Sequence, residues 1–372
     1  MSEKDVIVHF VRRDSYDKFP AGYVNFMKIR MQEYQHYFFI SAYSTVSIGF
    51  SPLELYNDLN VYYYDNLREV FLNLNNMKLF RKCKKIIFSG LYPSRKKVIP
   101  FLILSGLASK IYIQFWEGDL SWYGNIYSNF FHPKRLLNKF IMHLFLKNIA
   151  GIINLIEGDY ESLMQVFPCK TKHFIAPMTG DPMKKYDFNI ARAKHNDSGT
   201  YKILVGHSAY PWGLHLEAFR LLEHLKNQKV EIICPLSYGF DDYREVVIEA
   251  GRNIFGDKFT PIINFMSRQE YINFLASCEA GIYLTNIQQG MGNISLLLRL
   301  GKKVYMREGT AMWKQYKETI KYTVYPVSEL ENITLEKLVN FPPELAYNNI
   351  QIAEERAASN YAVEQWRKVF ED

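Results

Sequence analysis

Cysteine is scarce in this sequence of 372 residues, and the four that occur are scattered along it. Cys83, Cys169, Cys234 and Cys278 include no C-x-x-C pair, and no Cys/His set with the spacing of a zinc site surrounds them. A disulfide framework and a zinc site of the finger type are therefore not expected. The pattern is typical of reduced core thiols in a cytoplasmic protein.

Long hydrophobic runs are also missing. The longest, residues 98–109, lies between Lys97 and Lys110 and falls short of the roughly 20 residues that a membrane-spanning helix needs. The polar start of the chain leads directly into the strand-like run Val6–Val11, which is unlike a signal peptide. We expect a core helix at 98–109 and a protein that stays in the cytoplasm.

Motifs for metal binding and for several nucleotide reactions are absent. The sequence contains no H-E-x-x-H, no G-x-S-x-G, no P-loop Gly-Lys-Ser/Thr and no D-x-D in a metal-binding context. A nicotinamide fingerprint would stand at the first strand of its domain, yet residues 6–14 contain no glycine. We therefore predict no metal and no cofactor, and we reject a dehydrogenase.

What the sequence does contain is an alternation of short β-rich runs and amphipathic helical segments, as in doubly wound α/β proteins. The length exceeds what one core usually sustains, so two domains are expected. We predict a Rossmann-like domain at 1–178, a linker at 179–200, a second Rossmann-like domain at 201–345, and a final helix at 346–372 that crosses back to the first domain. Strands are predicted at 6–11, 37–41, 85–88, 110–115, 151–155, 202–205, 230–234, 262–265, 280–284 and 303–306.

Positive charge is concentrated in the first half. Residues 1–172 contain 22 Lys and Arg against 14 Asp and Glu, so this half should meet something anionic. The predicted helix 133–149 is basic and amphipathic, which suits anionic lipid headgroups, although a solvated basic face is the alternative. No RNA- or DNA-binding motif accompanies these charges, so nucleic acid is not expected. The basic and histidine residues of this helix are Lys134, Arg135, Lys139, His143 and Lys147.

A glycine-containing segment in the second domain follows a predicted strand and opens a predicted helix. Residues 288–295 read Gln-Gln-Gly-Met-Gly-Asn-Ile-Ser, and Gly290 and Gly292 permit close approach of the backbone to a ligand. The first turn of a helix leaves N–H groups free, and a diphosphate is their natural occupant. A tight turn without a ligand is the alternative, because G-x-G alone is a weak motif.

Other strand ends of the second domain supply further candidates. Gly206 and Ser208 follow its first strand, where a phosphate can bind, or Ser208 caps the next helix. His215 can give a cation or a hydrogen bond to a ligand. Tyr238, in the turn that starts at Pro235, can lie against a nucleobase or can be a packing residue.

Two carboxylates near the predicted strand 110–115 are candidates for a catalytic base. Glu117 and Asp119 stand between Trp116 and the pair Trp122-Tyr123, where a base and sugar-stacking rings can meet. Capping of the next helix by Asp119 is the alternative interpretation.

These segments resemble the TDP-N-acetylfucosamine:lipid II N-acetylfucosaminyltransferases, also called 4-alpha-L-fucosyltransferases (glycosyltransferase family 56), of enterobacterial common antigen synthesis. Residues 288–292 resemble the family's Q-Q-G-I-G, and Arg307-Glu308 ahead of Trp313 resemble its R-E-N-x-x-W. This chain has His207 where the family has Asn. Weaker matches are Val205-Gly206-x-Ser208 with His215 for V-G-N-S…H, Pro235-x-x-Tyr238 for P-M-G-Y, and Trp116-x-x-Asp119-Leu120 for W-G-A-D-L.

The resemblance implies a GT-B fold, with two Rossmann-like domains facing a central cleft. The nucleotide-sugar would bind the second domain, with Tyr238 on the base and Glu308 on a ribose or sugar hydroxyl, and the lipid-linked acceptor would bind the first. Asp119 and Glu117 are then the candidates for catalysis. The expected donor-binding residues are Gly206, His207, Ser208, His215, Pro235, Ser237, Tyr238, Asn286, Gln288, Gln289, Gly290, Met291, Gly292, Asn293 and Glu308.

The predicted function is a metal-independent glycosyltransferase, peripheral on the inner face of the cell membrane. It would move an N-acetylated amino-deoxy sugar from a dTDP-sugar to an undecaprenyl-diphosphate-linked saccharide in bacterial surface polysaccharide synthesis. A transferase that uses a UDP- or GDP-sugar for capsule or O-antigen is the nearest alternative. A nucleotide-sugar 2-epimerase and a non-catalytic sugar-binding scaffold are alternatives of another class, and the anomeric outcome stays open.

Overall fold

The computed structural model describes residues 4–12, 18–41, 60–90, 98–116, 119, 133–177, 185–192 and 199–372. The chain divides into two units, one formed by Met1–Lys185 with Asn360–Asp372 and the other by Tyr186–Ser359. Each unit is built on one parallel β-sheet. The predicted α/β architecture with two Rossmann-like domains is thereby confirmed.

The first sheet has seven strands in the order β3-β2-β1-β4-β5-β6-β7, and every pairing is parallel. The strand order reverses direction between β1 and β4, which makes their carboxyl ends the usual ligand-binding edge of such a sheet. The interior strands are almost wholly buried because helices cover both faces. The strands are β1 Val6–Val11, β2 Gln35–Ser41, β3 Val61–Tyr64, β4 Lys85–Ser89, β5 Ile111–Gln114, β6 Gly151–Asn154 and β7 Lys172–Ile175.

Two predicted helical segments of the first unit are interrupted, one at an N-capping Asn and one at a Gly with a positive φ. Residues 67–79 have apolar side chains at three- and four-residue spacing, which predicts one helix. The structure has two helices there, because the side chain of Asn73 accepts hydrogen bonds from the N–H groups of Asn75 and Asn76 and so starts a new helix. The helix predicted at 98–109 is interrupted at Gly106, which has a φ of +73°. The helices are α1 Lys18–Arg30, α2 Leu67–Leu72, α3 Leu74–Lys82, α4 Ile99–Leu104, α5 Pro133–Asn148 and α6 Glu157–Val166.

The second sheet has six parallel strands in the order β10-β9-β8-β11-β12-β13. This is the same doubly wound order, with the reversal between β8 and β11. The strand predicted at 262–265 is displaced in the structure to residues 259–262, an edge strand that contains Pro261. The strands are β8 Tyr201–Val205, β9 Val230–Pro235, β10 Phe259–Ile262, β11 Ala280–Tyr283, β12 Lys303–Met306 and β13 Tyr325–Pro326.

The second unit extends beyond the predicted range 201–345 at both ends. Phe188 and Ala191 are buried in its core, and the Arg192 guanidinium donates to the carbonyl of Arg299. After residue 345, the buried Asn349 pairs with both backbone groups of Thr323. The helices are α7 Phe188–Arg192, α8 His215–Leu222, α9 Asp241–Phe255, α10 Arg268–Ala276, α11 Met291–Arg299, α12 Ala311–Trp313, α13 Leu335–Val339 and α14 Pro343–Ala358.

The final segment, predicted as one helix at 346–372, contains the end of α14 and a separate helix, α15 Tyr361–Glu371. Helix α15 belongs to the first unit, where Trp366 and Phe370 are fully buried beside Tyr23. The Trp366 indole N–H donates to the carbonyl of Pro177 at 3.0 Å. Among the helices that the structure describes, none combines the length and the apolar character that crossing a membrane requires.

Candidate functional site

The candidate site lies at the carboxyl edge of the second sheet, where the strand order reverses. Strand β8 pairs directly with β11, and the N–H of Gly206 extends this pairing to the carbonyl of Ile282 at 3.0 Å. The segments after the two strands are therefore neighbours. They contain most of the predicted donor-binding residues, at the position where open α/β sheets bind ligands.

Gly206 and His215 are in direct contact. Gly206 has a φ of +69°, and a β-carbon added to it would lie 2.5 Å from His215 Nε2. A β-carbon at Gly213 would lie 2.7 Å from Cε1 of the same ring. Both positions therefore need glycine for the imidazole to fit.

His215 is a neutral base beneath this turn. Its side chain is fully buried, and burial lowers its pKa from 6.5 to about 4. The lowered pKa favours the neutral ring and so the hydrogen-bonding role, and both predicted roles of His215 stay predictions. The Nδ1 atom lies 3.4 Å from the Tyr243 hydroxyl, and Nε2 has no hydrogen-bond partner among the residues that the structure describes.

The second contact joins His207 to Gly290. A β-carbon at Gly290 would lie 3.2 Å from His207 Cγ and Nδ1 and 3.2 Å from the Tyr283 ring, and Gly290 has a φ of +66°. The other ring nitrogen of His207, Nε2, lies 3.0 Å from Ser208 Oγ. The cap of α8 is Leu214, so Ser208 does not cap that helix. The structure thus brings His207, Ser208 and Gly290 together.

Helix α11 begins at this contact, with Gly290 as its N-cap residue. The first N–H groups of a helix have no carbonyl within the helix, and the helix dipole is positive at this end. Met291 and Gly292 supply these N–H groups. A β-carbon at Gly292 would meet nothing within 4 Å, so open space lies beside the helix start, where a phosphate can approach.

Polar side chains surround the start of α11. Gln288 and Gln289 are both buried, and the Oε1 atom of each lacks a hydrogen-bond partner among the described residues. Asn293 donates from Nδ2 to the Tyr271 hydroxyl at 2.9 Å, which fixes its side chain against α10. Asn286 is exposed.

The turn after β9 is joined to the turn after β8. The N–H of Ala209 donates to the carbonyl of Tyr238 at 2.7 Å, and the N–H of Phe240 donates back to Ala209 at 2.9 Å. The Tyr238 ring thereby lies 6.2 Å from the His207 ring, and it is nearly parallel to the Phe265 ring at 6.4 Å. Pro235 ends β9, and Ser237 follows as a half-buried residue of the turn.

Residues after β12 approach the same edge. The Arg307 guanidinium donates to the carbonyl of Leu284 at 2.8 Å and to Glu217 Oε1 at 2.6 Å. It therefore connects the ends of β11 and β12 with α8. Burial by itself would raise the pKa of the exposed Glu308, but hydrogen bonds from the Ser328 side chain and from the backbone N–H groups of Val327, Ser328 and Glu308 together hold the pKa below the ordinary value.

Sequence reasoning missed the tertiary roles of Tyr283 and Arg307. Tyr283 is the last residue of β11, and its buried hydroxyl has no partner among the described residues. Arg307 belonged to a recognised motif, but no local pattern indicated that it binds the carbonyl of Leu284. The one indication available from the sequence was that Tyr283 ends β11, a strand beside the point where the strand order reverses.

In the first unit, Asp119 is part of a local turn. Its N–H donates to the carbonyl of Trp116 at 2.9 Å, and its Oδ2 accepts the N–H of Trp116 at 3.1 Å. The Trp116 indole donates to Ser89 at the end of β4. Asp119 thus caps the Trp116 N–H within its own turn. Its catalytic role stays a prediction, and Glu117 lies outside the described residues.

A second carboxyl group in this unit was not singled out from the sequence. Asp159, in the first turn of α6, is buried, and burial raises its pKa to about 7. Its Oδ2 and both amide atoms of the fully buried Asn154 have no hydrogen-bond partner among the described residues. A carboxyl group with this pKa can act as a base near neutral pH.

No group of three or more His, Cys, Asp or Glu side chains that could hold a metal ion occurs in the part of the chain that the structure describes. The groups available to an anion at the second sheet are the α11 N–H groups and the neighbouring polar side chains. Such fixed dipoles can stabilise a developing negative charge on a leaving group.

A family model described as "4-alpha-L-fucosyltransferase glycosyl transferase group 56" matches residues 23–361 of this chain. The match covers both units, including β8, β11 and α11. It therefore spans all the donor-site candidates as well as Asp119 and Asp159.

Solved structures share the fold at low sequence identity. A glycosyltransferase from Rickettsia africae ESF-5 is 14% identical, with 99% of this chain and 98% of that chain covered and a TM-score of 0.61. An alpha,alpha-trehalose 6-phosphate synthase from Burkholderia multivorans is 11% identical, with 99% and 95% covered and a TM-score of 0.63. An E. coli structure described as "Trehalose-6-phosphate from E. coli bound with UDP-2-fluoro glucose" is 9% identical, with 98% and 99% covered and a TM-score of 0.60. The predicted GT-B fold is confirmed.

Proposed function

Because this chain belongs to the 4-alpha-L-fucosyltransferases of glycosyl transferase group 56, it is a glycosyltransferase, and we propose a specific donor and acceptor for it. The proposed donor is a dTDP-linked N-acetylated amino-deoxy sugar of the 4-acetamido-4,6-dideoxygalactose type. The proposed acceptor is an undecaprenyl-diphosphate-linked saccharide in bacterial surface polysaccharide synthesis. The enzyme would work in the cytoplasm, at the inner face of the cell membrane.

One observation carries the donor part of this proposal: the contact of Gly290 with His207 at the start of α11. It puts a helix N-terminus, an imidazole and a hydroxyl at one edge of the sheet. A diphosphate bound there would receive N–H groups from Met291 and Gly292 and the positive end of the helix dipole. These groups favour the leaving nucleoside diphosphate without a metal ion.

The rest of the donor would extend along the same sheet edge. Tyr238 provides an aromatic face for the nucleobase, and the joined turns after β8 and β9 hold that ring beside His207. Glu308, whose carboxylate is kept ionised by hydrogen bonds from Ser328 and from neighbouring backbone N–H groups, can accept a hydrogen bond from a ribose or sugar hydroxyl. Gln288 and Gln289 provide further polar groups near the phosphate position.

The acceptor would react at the first unit. Asp119 is the proposed base for the acceptor hydroxyl, since it lies beside Trp116, whose ring offers a surface for a sugar. The excess of basic residues in the first half of the chain suits an acceptor that carries a diphosphate and a membrane that carries anionic lipids.

A transferase that uses a UDP-sugar is the strongest rival, because the E. coli structure of the same fold is described as bound with UDP-2-fluoro glucose. A GDP-sugar is a further option. A nucleotide-sugar 2-epimerase would need neither a lipid-linked acceptor nor a membrane. A non-catalytic sugar-binding scaffold would keep its function in a Gln289→Ala variant, because it would not use the donor site.

The test is a transfer assay with purified protein, a short polyprenyl-diphosphate-linked saccharide and each nucleotide-sugar in turn, in the presence of a chelator. We expect glycosylated lipid product, detected by mass spectrometry, with the dTDP-sugar. Product only with a UDP- or GDP-sugar would support the proposed transfer reaction but would show that the proposed donor is wrong. Epimerised nucleotide-sugar without glycosylated lipid would overturn the proposed reaction.

A further inference from the structure

Helix α5 has apolar side chains on both of its sides. Met142, Phe145 and Leu146 are buried in the core of the first unit. The outer side of a helix on a soluble domain is normally polar. Here, however, the exposed side chains of α5 include Leu136, Leu137, Phe140 and Leu144, of which Phe140 is 64% exposed.

Helix α4 extends this apolar surface. It packs against α5, and its Leu102 is buried in the same core as Phe145. Its outer side presents Phe101 and Leu104, and Leu104 is 87% exposed. Exposed apolar patches of this kind mark interaction sites. We define the α4–α5 face as Phe101, Leu104, Leu136, Leu137, Phe140 and Leu144.

The two chain segments that contain this face have one sign of charge. Residues 98–116 and 133–149 contain no Asp or Glu, and they contain five Lys or Arg residues. Lys147 is exposed on α5 beside Leu144. A second copy docked face to face by two-fold symmetry would oppose like charges. An anionic lipid surface can bury the apolar side chains and attract the basic groups.

We propose that the α4–α5 face binds the surface of a bilayer that contains anionic lipids. The six apolar side chains would enter the interfacial region, and the exposed Lys147 ammonium group would meet the headgroups. This inference deepens the proposed function by naming the surface that meets the membrane of the acceptor. It can be tested without any sugar transfer, so the two can fail separately.

The experiment is flotation of the purified full-length protein with vesicles of phosphatidylcholine, with and without phosphatidylglycerol. We expect binding to the anionic vesicles, and we expect the double variant Leu104→Asp/Phe140→Asp to lower the bound fraction about tenfold. The matched control is Val246→Asp/Tyr347→Asp, which changes two exposed apolar residues of α9 and α14 in the second unit. The control should bind like the unchanged protein.

Thermal unfolding and nucleotide binding of each variant establish that it is folded. If the double variant is folded and binds vesicles as well as the unchanged protein does, the proposal is overturned. It is equally overturned if the unchanged protein ignores anionic vesicles and instead sediments as a dimer that the double variant abolishes. That result would assign the face to a second copy of this chain.

Discussion

His215 lies against Gly206 so closely that a β-carbon on the glycine would be 2.5 Å from Nε2 of the imidazole. The ring is fully buried, and its pKa is lowered to about 4. It therefore acts as a neutral packing and hydrogen-bonding group under the turn that follows β8. The shape of the candidate donor site depends on this contact, because the same turn continues into His207 and Ser208.

Gly206→Ala should disturb both folding and donor binding. The substitution combines an unfavourable φ with a steric clash, and we expect it to lower the free energy of unfolding by about 3 kcal/mol. Gly106→Ala is the matched control, since Gly106 has a φ of +73° but nothing within 4 Å of its β-carbon position. We expect about 1 kcal/mol for this control. Urea unfolding of both variants measures the difference, and equal losses would contradict the importance of the His215 contact.

Gly290→Ala and Gly292→Ala should separate a structural glycine from a ligand-facing one. Gly290 has a positive φ and close neighbours, so its substitution should cost about 1–2 kcal/mol of stability and weaken donor binding. Gly292 faces open space, so its substitution should change stability by less than about 0.5 kcal/mol while weakening nucleotide binding. Unchanged nucleotide binding in a folded Gly292→Ala protein would argue against a phosphate at α11.

Acid should destabilise the first unit through a buried histidine pair. His36 Nε2 donates to the carbonyl of Met31, and its Nδ1 lies 2.9 Å from His9 Nε2, while His9 Nδ1 lies 2.9 Å from the Tyr23 hydroxyl. All three contacts are satisfied when both rings are neutral. Burial lowers the pKa of His36 from 6.5 to about 4 and lowers that of His9 as well.

Between pH 6.5 and 4 the unfolded chain therefore binds more protons at these sites than the folded chain, so stability falls as the pH falls. For His36 alone we expect a loss of about 2 kcal/mol between pH 7.5 and pH 5. Urea unfolding at the two pH values measures it. His36→Gln should reduce the pH dependence, and an unchanged pH dependence in this variant would contradict the prediction.

Asp119→Asn tests the proposed base. Asparagine has the same shape and can still accept the Trp116 N–H, so the turn should persist. We expect kcat to fall about 10²- to 10⁴-fold with little change in donor affinity. Asp159→Asn is the comparison, because Asp159 has a pKa of about 7. A large loss of kcat in Asp159→Asn together with normal turnover in Asp119→Asn would move the role of base to Asp159.

The interior strands were predictable from sequence because both faces of a parallel sheet are buried, which leaves continuous apolar runs such as β1 and β4. The strands that were missed or displaced are all at sheet edges. Strands β3, β7 and β13 were not predicted, and β10 was predicted three residues too late. Edge strands are partly exposed, so their apolar pattern is weak, and Pro261 is acceptable in β10 because it is an edge strand.

The site was predictable to the extent that it depends on local backbone requirements. Gly206 directly follows β8 and Gly290 is the N-cap residue of α11; both have a positive φ, and the sequence indicated both. The fit of His215 between Gly206 and Gly213 depends on tertiary packing. The same is true of the connection that Arg307 makes to Leu284. Periodicity and turn chemistry contain no information on such long-range contacts.

The most direct test of the donor site is calorimetric titration of the purified protein with dTDP, UDP and GDP, without metal, repeated on Gly292→Trp. Nothing lies within 4 Å of the β-carbon position at Gly292, so a side chain can start there, and an indole would obstruct the approach of a phosphate to the start of α11. We expect binding of dTDP in preference to the other two, and loss of that binding in a folded Gly292→Trp protein. Binding of none of the three, or dTDP binding that Gly292→Trp leaves unchanged, would contradict it.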